Sequence, residues 1–304
     1  MISRYEQEDV LWIDLLCPTK KEIRQVIEEN DINPEIGDAL LEPNRNPLVE
    51  LYNQEAIFLV LHFPTFRENN VAHRREIDFV ITEKLLITVH YETIDIFTNF
   101  AKDFETNTLL QKDRHQHAGF IYFRLMKHLY QRFSEELEGV EDRIESAKEH
   151  VFQGGEKEMV KALSDINKDL LDFKQAIRPH KNVLKSLEIA GNNYFDDQVF
   201  IHYLHTISQE HEKITDTITA HKETLDEVRH TNDSLLRTRS TQVMKTLTVI
   251  TFATYPSVFL AELFGVNAKY NPILGEPNDF WIILLIILAA TIATFTFFIY
   301  KRWF

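Results

Sequence analysis

Apolar residues follow three different rhythms along this chain. Between residues 10 and 100, short runs rich in β-branched residues read as strands: Val10–Leu15, Glu55–Phe63, Glu76–Ile81 and Lys84–His90. Thr19–Asn30 has helical spacing, with Thr19 placed to cap it. Asn-Pro pairs at 33–34 and 46–47 and the Glu-Asn-Asn of 68–70 mark turns. Strand character ends after Thr93, and from about Phe120 to Ala190 the spacing is helical and acidic. Gly154-Gly155 interrupts it, which predicts two antiparallel helices joined at that turn.

The second rhythm is long. Between Gly191 and Pro256 the chain has neither glycine nor proline, sixty-four residues that would extend about 96 Å as one helix. Ile207, His211, Ile214, Ile218, His221, Leu225, Val228, Asn232 and Leu235 follow alternating steps of four and three. Such a line, with polar interruptions, suits a seam between parallel helices of an oligomer. Packing on the chain's own body is the alternative, and it is as well supported for the N-terminal half.

The third rhythm is unbroken. Phe280 to Tyr300 is twenty-one residues without a charge. At about 1.5 Å per residue this is roughly 31 Å, the thickness of a hydrocarbon core. Trp281 and Tyr300 mark its ends, and Lys301-Arg302-Trp303 follows. Thr246 to Ala261 is a second uncharged stretch, which Lys245 and Glu262 to Phe264 extend to spanning length. Arg237, Arg239 and Lys245 precede the first span and Lys301 and Arg302 follow the second, so the cationic bias puts both termini in the cytoplasm. The expectation is a protein of the plasma membrane.

The first span is polar along one side. Taking 100° per residue from Met244, the residues Thr241, Met244, Thr248, Thr251, Tyr255, Val258 and Glu262 fall within about 60° of one line. Val249, Ile250, Ala253, Leu260 and Phe264 make the other side mostly apolar. A line of hydroxyls ending in a carboxylate should face a bundle or an aqueous path. Two helices cannot enclose a pore, so several chains would form a ring with the first helix inside and the second outside. The competing reading has the threonines bonding only to their own helix or its neighbour. Pro256 is the expected place for a kink.

Composition sharpens this picture. The mean hydropathy of −0.24 looks soluble, but it averages a polar body and an apolar hairpin. Of the net charge of −14, residues 241–304 contribute four cations against three acids, so residues 1–240 carry −15. That excess excludes nucleic acid as an expected partner and suits cations. The single cysteine, Cys17, precludes an intrachain disulfide. The chain shows no phosphate-binding glycine loop and no nucleophile arrangement, so neither a pump driven by ATP nor an enzyme is expected, and no cofactor. The thirteen histidines include the pairs His115/His117 and His202/His205, which without a fixed partner read as surface or helix-interface residues rather than a zinc site.

Val243-Met244-Lys245-Thr246-Leu247-Thr248-Val249-Ile250, then Pro256, Phe264-Gly265-Val266-Asn267, Pro272, the second span and the tail Lys301-Arg302-Trp303-Phe304 run in an order and spacing that resembles the CorA family of divalent-cation channels and transporters. The likeness is strong over residues 230–304 and agrees in organisation over the whole chain. It implies an α+β cytoplasmic domain built as an α/β/α sandwich, a long stalk helix and two transmembrane helices in a homopentameric funnel. The segments would be 1–115 for the α/β domain, 116–192 for an acidic antiparallel helical pair, 193–242 for the stalk, 243–264 and 280–300 for the spans, 265–279 for the external loop and 301–304 for a basic tail. The implied function is passive movement of hydrated Mg²⁺, with Co²⁺ or Ni²⁺, down the membrane potential.

By the same resemblance, Gly265, Val266 and Asn267 form the pore entrance, while Met244 and Leu247 match a hydrophobic constriction that gates by dewetting. An amide ring from Asn267 would hold a hydrated ion through its waters. The signature is Gly-Val-Asn instead of Gly-Met-Asn, a variant that also occurs in the zinc-transporting ZntB branch. Lys269 weakens external capture of cations, and Tyr255 and Glu262 replace an apolar and a small residue. Zn²⁺ transport is therefore an alternative, and a non-conducting, membrane-anchored cation-sensing scaffold is another. In the family, cytoplasmic Mg²⁺ between neighbouring subunits holds the channel closed. Glu92 and Asp95 on one side and Asp196, Asp197 or Glu210 on the other are candidate ligands for such a sensor, with a solvated acidic face as the bland alternative.

Overall fold

The computed structural model describes residues 1–7, 10–44, 46–52, 56–64, 74–105, 117–194, 198–266 and 278–301. They form two units, Met1–Arg229 and His230–Phe304. In chain order the elements are β1 (Ile2–Gln7), β2 (Val10–Leu16), α1 (Lys20–Glu29), α2 (Pro34–Ala39), β3 (Leu48–Tyr52), β4 (Ala56–Pro64), β5 (Arg74–Ile81), β6 (Leu85–His90), α3 (Asp95–Glu105), α4 (Ala118–Phe152), α5 (Glu156–Ile177), α6 (His180–Tyr194), α7 (Gln198–Gly265) and α8 (Asp279–Tyr300). The helix α7 contributes to both units.

The first unit holds one six-stranded sheet in the order β1-β2-β6-β5-β4-β3, antiparallel except for the β2–β6 pair. Every residue of β4 and β6 is buried, as expected where helices cover both faces of a sheet. Alternate residues divide between the faces. Ile13, Phe58, Val60, Val80, Ile87 and Val89 pack with Ile23, Val26 and Ile27 of α1 and Ile36 of α2. On the other face the Trp12 ring meets Phe100 of α3 edge-on at 5.2 Å, and Phe79 meets Tyr122 of α4 in the same way at 5.2 Å. The α/β/α sandwich expected from the sequence is present.

The four predicted strands appear within two residues of their expected ends, and so does α1. Thr19 caps α1 with a reciprocal pair: its hydroxyl accepts from Glu22 N, and Glu22 Oε2 accepts from Thr19 N at 2.7 Å. The Asn33-Pro34 pair, expected to mark a turn, instead starts α2. The Asn33 side chain accepts from Glu35 N at 3.0 Å and Pro34 sits at the first helical position, where its missing N–H costs nothing. The predicted helical pair is three helices. Gly154, at φ 97°, closes α4 while Gly155 N donates to His150 O, but Arg178-Pro179 then divides the return helix into α5 and α6. The predicted turn at 68–70 lies outside the described residues.

The start of α7 is held by a ring in a slot. Phe200 is fully buried, and a Cβ added at Gly119 of α4 would come within 2.5 Å of its ring. One added at Gly191 of α6 would come closer still. Tyr203 stacks on Phe123 of α4 at 4.3 Å, and His211 Nε2 donates to Ile177 O at 3.0 Å. Along the predicted seam Ile207, His211, Ile214, Ile218, Leu225, Val228 and Asn232 are buried without a second copy, as packing on the chain's own body requires, while His221 and Leu235 are half-buried.

Two polar networks lie inside the first unit. Burial holds the His180 ring well below its ordinary value, at about 3, so it is neutral. Its Nε2–H donates to His62 O and its Nδ1 accepts from Tyr130 OH, each at 3.0 Å, which links α4, α6 and β4. Glu76 and Asp78 lie two apart on β5, both facing inward. Glu76 accepts from Asn44 N at 2.7 Å, and Tyr91 OH donates to Asp78 at 3.3 Å. Burial first, and the adjacent Glu76 second, push the Asp78 carboxyl far above the usual carboxylate range.

Two outcomes follow from this packing. Gly191→Ala is expected to displace Phe200 and destabilise the protein by about 1–3 kcal/mol, measured by thermal unfolding in detergent. The folded chain keeps a proton on Asp78 that the unfolded chain releases above about pH 4, so its stability falls as pH rises from there. Asp78→Asn cannot ionise, and its melting temperature should fall less than the native protein's between about pH 5 and about pH 8. Parallel slopes would show that the acid holds no such proton.

Candidate ion pathway along the first membrane helix

In the second unit the helix α8 is apolar all round. Phe280, Trp281, Leu285, Leu288, Ile292 and Phe297 are exposed, a surface that belongs in hydrocarbon and not in water. Its twenty-two residues span about 33 Å. Both α8 and the C-terminal part of α7 are long and apolar enough to cross a membrane.

These two helices meet through a narrow set of residues. Val249 and Ala253 of α7 and Phe298 of α8 form a buried cluster. One turn further along, Ser257 Oγ lies 2.6 Å from Thr291 Oγ1. Thr291 already donates its only hydroxyl hydrogen to Ile287 O at 2.8 Å, so Ser257 is the donor. This interhelical bond was not foreseen from the sequence. Its signal was a serine midway along the apolar side of α7, where a small residue lets helices approach.

On a helical projection Val249, Ala253 and Ser257 lie about 140° to 220° from Met244. They are therefore diametrically opposite the predicted polar line. Thr241, Met244, Leu247, Thr251, Tyr255, Val258 and Glu262 are exposed and Thr248 is half-buried, so the chain's own α8 leaves the line uncovered. Tyr255 is 67% exposed. Of the expected apolar side, Val249 and Ala253 are buried, Leu260 and Phe264 are half-buried, and Ile250 stays exposed.

The threonines back-bond as the competing reading expected. Thr248 donates to Met244 O at 2.8 Å and Thr251 to Leu247 O at 2.9 Å, and Thr246 and Thr254 do the same off the line. That bond consumes the hydroxyl hydrogen and leaves the oxygen lone pairs as acceptors. Glu262 is the only charged residue between Lys245 and Lys269. A line of acceptor oxygens with one carboxylate is suited to a cation or to the waters around one. Within α7, Pro256 removes the N–H that would bond to Phe252 O, yet the helix continues through it to Gly265.

At the end of α7 a Cβ on Gly265 would meet nothing within 4 Å, and Val266 is exposed. Among the described residues nothing requires a glycine there. Asn267, Lys269, Glu276, Asp196 and Asp197 lie outside the described residues.

The remaining candidates are dispersed. Glu92 is exposed and accepts from Arg75 Nε at 3.1 Å, Asp95 opens α3 on the surface, and Glu210 is half-buried on α7. Among the described residues no group of three His, Cys, Asp or Glu side chains converges on a metal site. His117 and His211 are occupied in packing, the first against Phe200 and the second on Ile177 O.

Comparison with known proteins covers almost the entire chain. The family model for CorA-like Mg²⁺ transporter protein matches residues 7–302. The chain is 23% identical over 303 residues to the cobalt/magnesium transport protein CorA of Thermotoga maritima, covering 96% of this chain and 83% of that protein. Its fold is similar to the complete structure of the CorA magnesium transporter from Methanocaldococcus jannaschii, with a TM-score of 0.85 at 19% identity over 99% of this chain and 93% of that one. The ZntB cytoplasmic domain from Vibrio parahaemolyticus is similar over 75% of this chain and 90% of its own, with a TM-score of 0.59 at 15% identity. The family match runs through the sheet, the long helix and both candidate spans, and the chain belongs to the CorA-like Mg²⁺ transporter family.

Proposed function

We propose that five copies assemble around the polar line of α7 and conduct hydrated divalent cations, Mg²⁺ first, across the plasma membrane. The observation that carries this reading is the uncovered line itself: α8 occupies the opposite side of α7, so only other copies can keep the hydroxyls and Glu262 away from lipid. The names of the relatives, a cobalt/magnesium and a magnesium transporter, support the choice of ion. In this arrangement the domain of residues 1–115, the helices of 116–192, the stalk of 193–242 and the tail of 301–304 are cytoplasmic. The spans are 243–264 and 280–300, and the loop of 265–279 is outside.

Each residue type has a task. Asn267, beside Gly265 and Val266, presents an amide to the waters of an arriving ion, which suits Mg²⁺ because it dehydrates reluctantly. The back-bonded Thr248 and Thr251 offer oxygen acceptors further along. Met244 and Leu247 close the path by excluding water when the ring narrows. An inward potential supplies about 4.6 kcal/mol per 100 mV to a divalent ion, twice the single-charge value, so transport needs no nucleotide and no enzyme chemistry. Glu92, Asp95, Asp196, Asp197 and Glu210 are kept as candidate ligands of a regulatory Mg²⁺ between copies, where acid clusters absent among the described residues of one chain can be completed.

Purified protein in liposomes loaded with Mg²⁺- and Zn²⁺-sensitive dyes, with an inside-negative potential, is expected to take up Mg²⁺. Zn²⁺ uptake alone would transfer the assignment to a zinc transporter, and no movement of either ion would overturn transport. Asn267→Ala should lower Mg²⁺ uptake by up to roughly tenfold, the worth of about one hydrogen bond. Unchanged uptake in that variant would remove the amide from the mechanism while transport stands. Leu247→Ala should raise the resting leak, measured in the same liposomes at high internal Mg²⁺.

A further inference from the structure

Among the described serines and threonines of α7 from Thr246 onward, Ser257 is the one whose hydroxyl leaves its own helix. Thr246, Thr248, Thr251 and Thr254 each return their hydrogen to the carbonyl four residues back. Ser257 donates across to Thr291 Oγ1 of α8 at 2.6 Å, because Thr291 has committed its own hydrogen to Ile287 O. The bond sits directly after Pro256, where α7 lacks the N–H that would close on Phe252 O.

The proline divides the contact between the two membrane helices. Before it, Val249 and Ala253 are buried against Phe298. After it no described side chain of α7 is buried: Leu260 and Phe264 are half-buried, and Val258, Glu262 and Val266 are exposed. Proline is where long helices kink, so the segment beyond it needs a hold of its own. The Ser257 hydroxyl gives that outer segment a directional tie to α8.

Resting on the pore reading, we propose that Ser257 is a positioning residue for ion capture: through Thr291 it fixes the rotation of α7 beyond Pro256, and so the aim of the Gly265-Val266-Asn267 run that follows. In that reading the ion meets the Asn267 amide and never the Ser257 hydroxyl, which lies on the α8 side. A turn of about 30° carries a side chain at roughly 5 Å from the helix axis through about 2.6 Å. That is close to the length of a hydrogen bond, so the amide loses its hold on the ion's waters. Met244 and Leu247 lie before Pro256 and keep the orientation set by Val249 and Ala253. Binding at the mouth and closure at the constriction therefore depend on different contacts with α8.

The test measures Mg²⁺ uptake into proteoliposomes over a range of external Mg²⁺, so that half-saturation and maximal rate are read separately. Ser257→Ala and Thr291→Val should each raise half-saturating Mg²⁺ by about three- to tenfold, the worth of one interhelical hydrogen bond in a membrane, with maximal rate and resting leak near native. Removing the second partner of a bond already broken adds nothing, so the protein carrying both substitutions should match either single variant. Thr291→Ser keeps the hydroxyl and should keep native half-saturation. Val249→Ala loosens the inner contact instead, and should raise the leak at high internal Mg²⁺ while half-saturation stays native. Ser257→Ala and Thr291→Val reach the same bond from different helices, so if one of them does not assemble the other still decides. Native half-saturation in either variant would overturn the positioning role, as would additive effects in the double variant or an equal loss in Thr291→Ser. A Val249→Ala protein that shifts half-saturation as far as Ser257→Ala would overturn the division at Pro256. Absence of any divalent uptake by the native protein would instead overturn the transport reading on which the role rests.

Discussion

The contact of Val249, Ala253 and Ser257 with α8 decides which side of α7 is left for anything else. A residue on a helix is displaced by 100° from its neighbour, so moving the contact by two positions would swing the polar line most of the way under α8. The interhelical hydrogen bond from Ser257 to Thr291 makes that slip costly, because both hydroxyls would then face hydrocarbon without this partner. Phe298 supplies bulk where Ala253 supplies room. The pairing of one large and two smaller side chains with one hydroxyl pair therefore sets the orientation of every residue on the opposite face, Met244 through Glu262 included.

The same logic of partnered polar groups governs the other unit in a different solvent. His180 is buried, stays neutral, and uses both ring nitrogens, one on Tyr130 and one on a β4 carbonyl. Each bond fixes a different element relative to α6. Asp78 and Glu76 are held inside by Tyr91 and by the Asn44 backbone, at the expense of keeping one carboxyl protonated. Helix α7 enters this body through Phe200 in the slot of two glycines and through His211 on the last turn of α5. Large side chains meet bare backbone there, so the start of α7 has little freedom to rotate about its own axis.

What was legible in the sequence divides along physical lines. Strands buried on both faces, such as β4 with nine buried residues in a row, announce themselves as apolar runs. The edge strands β1 and β3 do not: Ile-Ser-Arg-Tyr-Glu-Gln alternates polar groups that solvent accepts, and Leu48–Tyr52 is too short to stand out. Helix α3 carries a signal of its own, since Phe97, Phe100, Ala101 and Phe104 keep a helical spacing after strand character ends. Heptad-like spacing on α7 could not separate a seam between copies from packing on the chain's own body, because both bury the same positions. The polar line of α7 was read from periodicity alone, and its exposure opposite α8 follows from contacts that periodicity does not contain. The acids proposed for a sensor were visible as charge, but charge without convergence has no geometry, and the described residues bring no three of them together.

The charge excess of the first 240 residues acquires a narrower meaning from the ion pairs. Arg4 is bonded to Glu29, Arg75 to Glu92, Arg143 to Asp169 and Lys222 to Asp226. Most of these pairs are exposed, where each contributes about 0–1 kcal/mol, so they matter more for what they consume than for stability. Cations engaged in this way are withdrawn from balancing the remaining acids, and the surplus is left to solvent ions. Arg75 illustrates the consequence at a candidate position, because a metal approaching Glu92 must displace a guanidinium already seated there. Asp95, at the first turn of α3, faces a different competitor: the helix's own unpaired N–H groups favour its negative charge. A divalent ion would have to outbid both, which one carboxylate per copy cannot arrange and several copies brought edge to edge can.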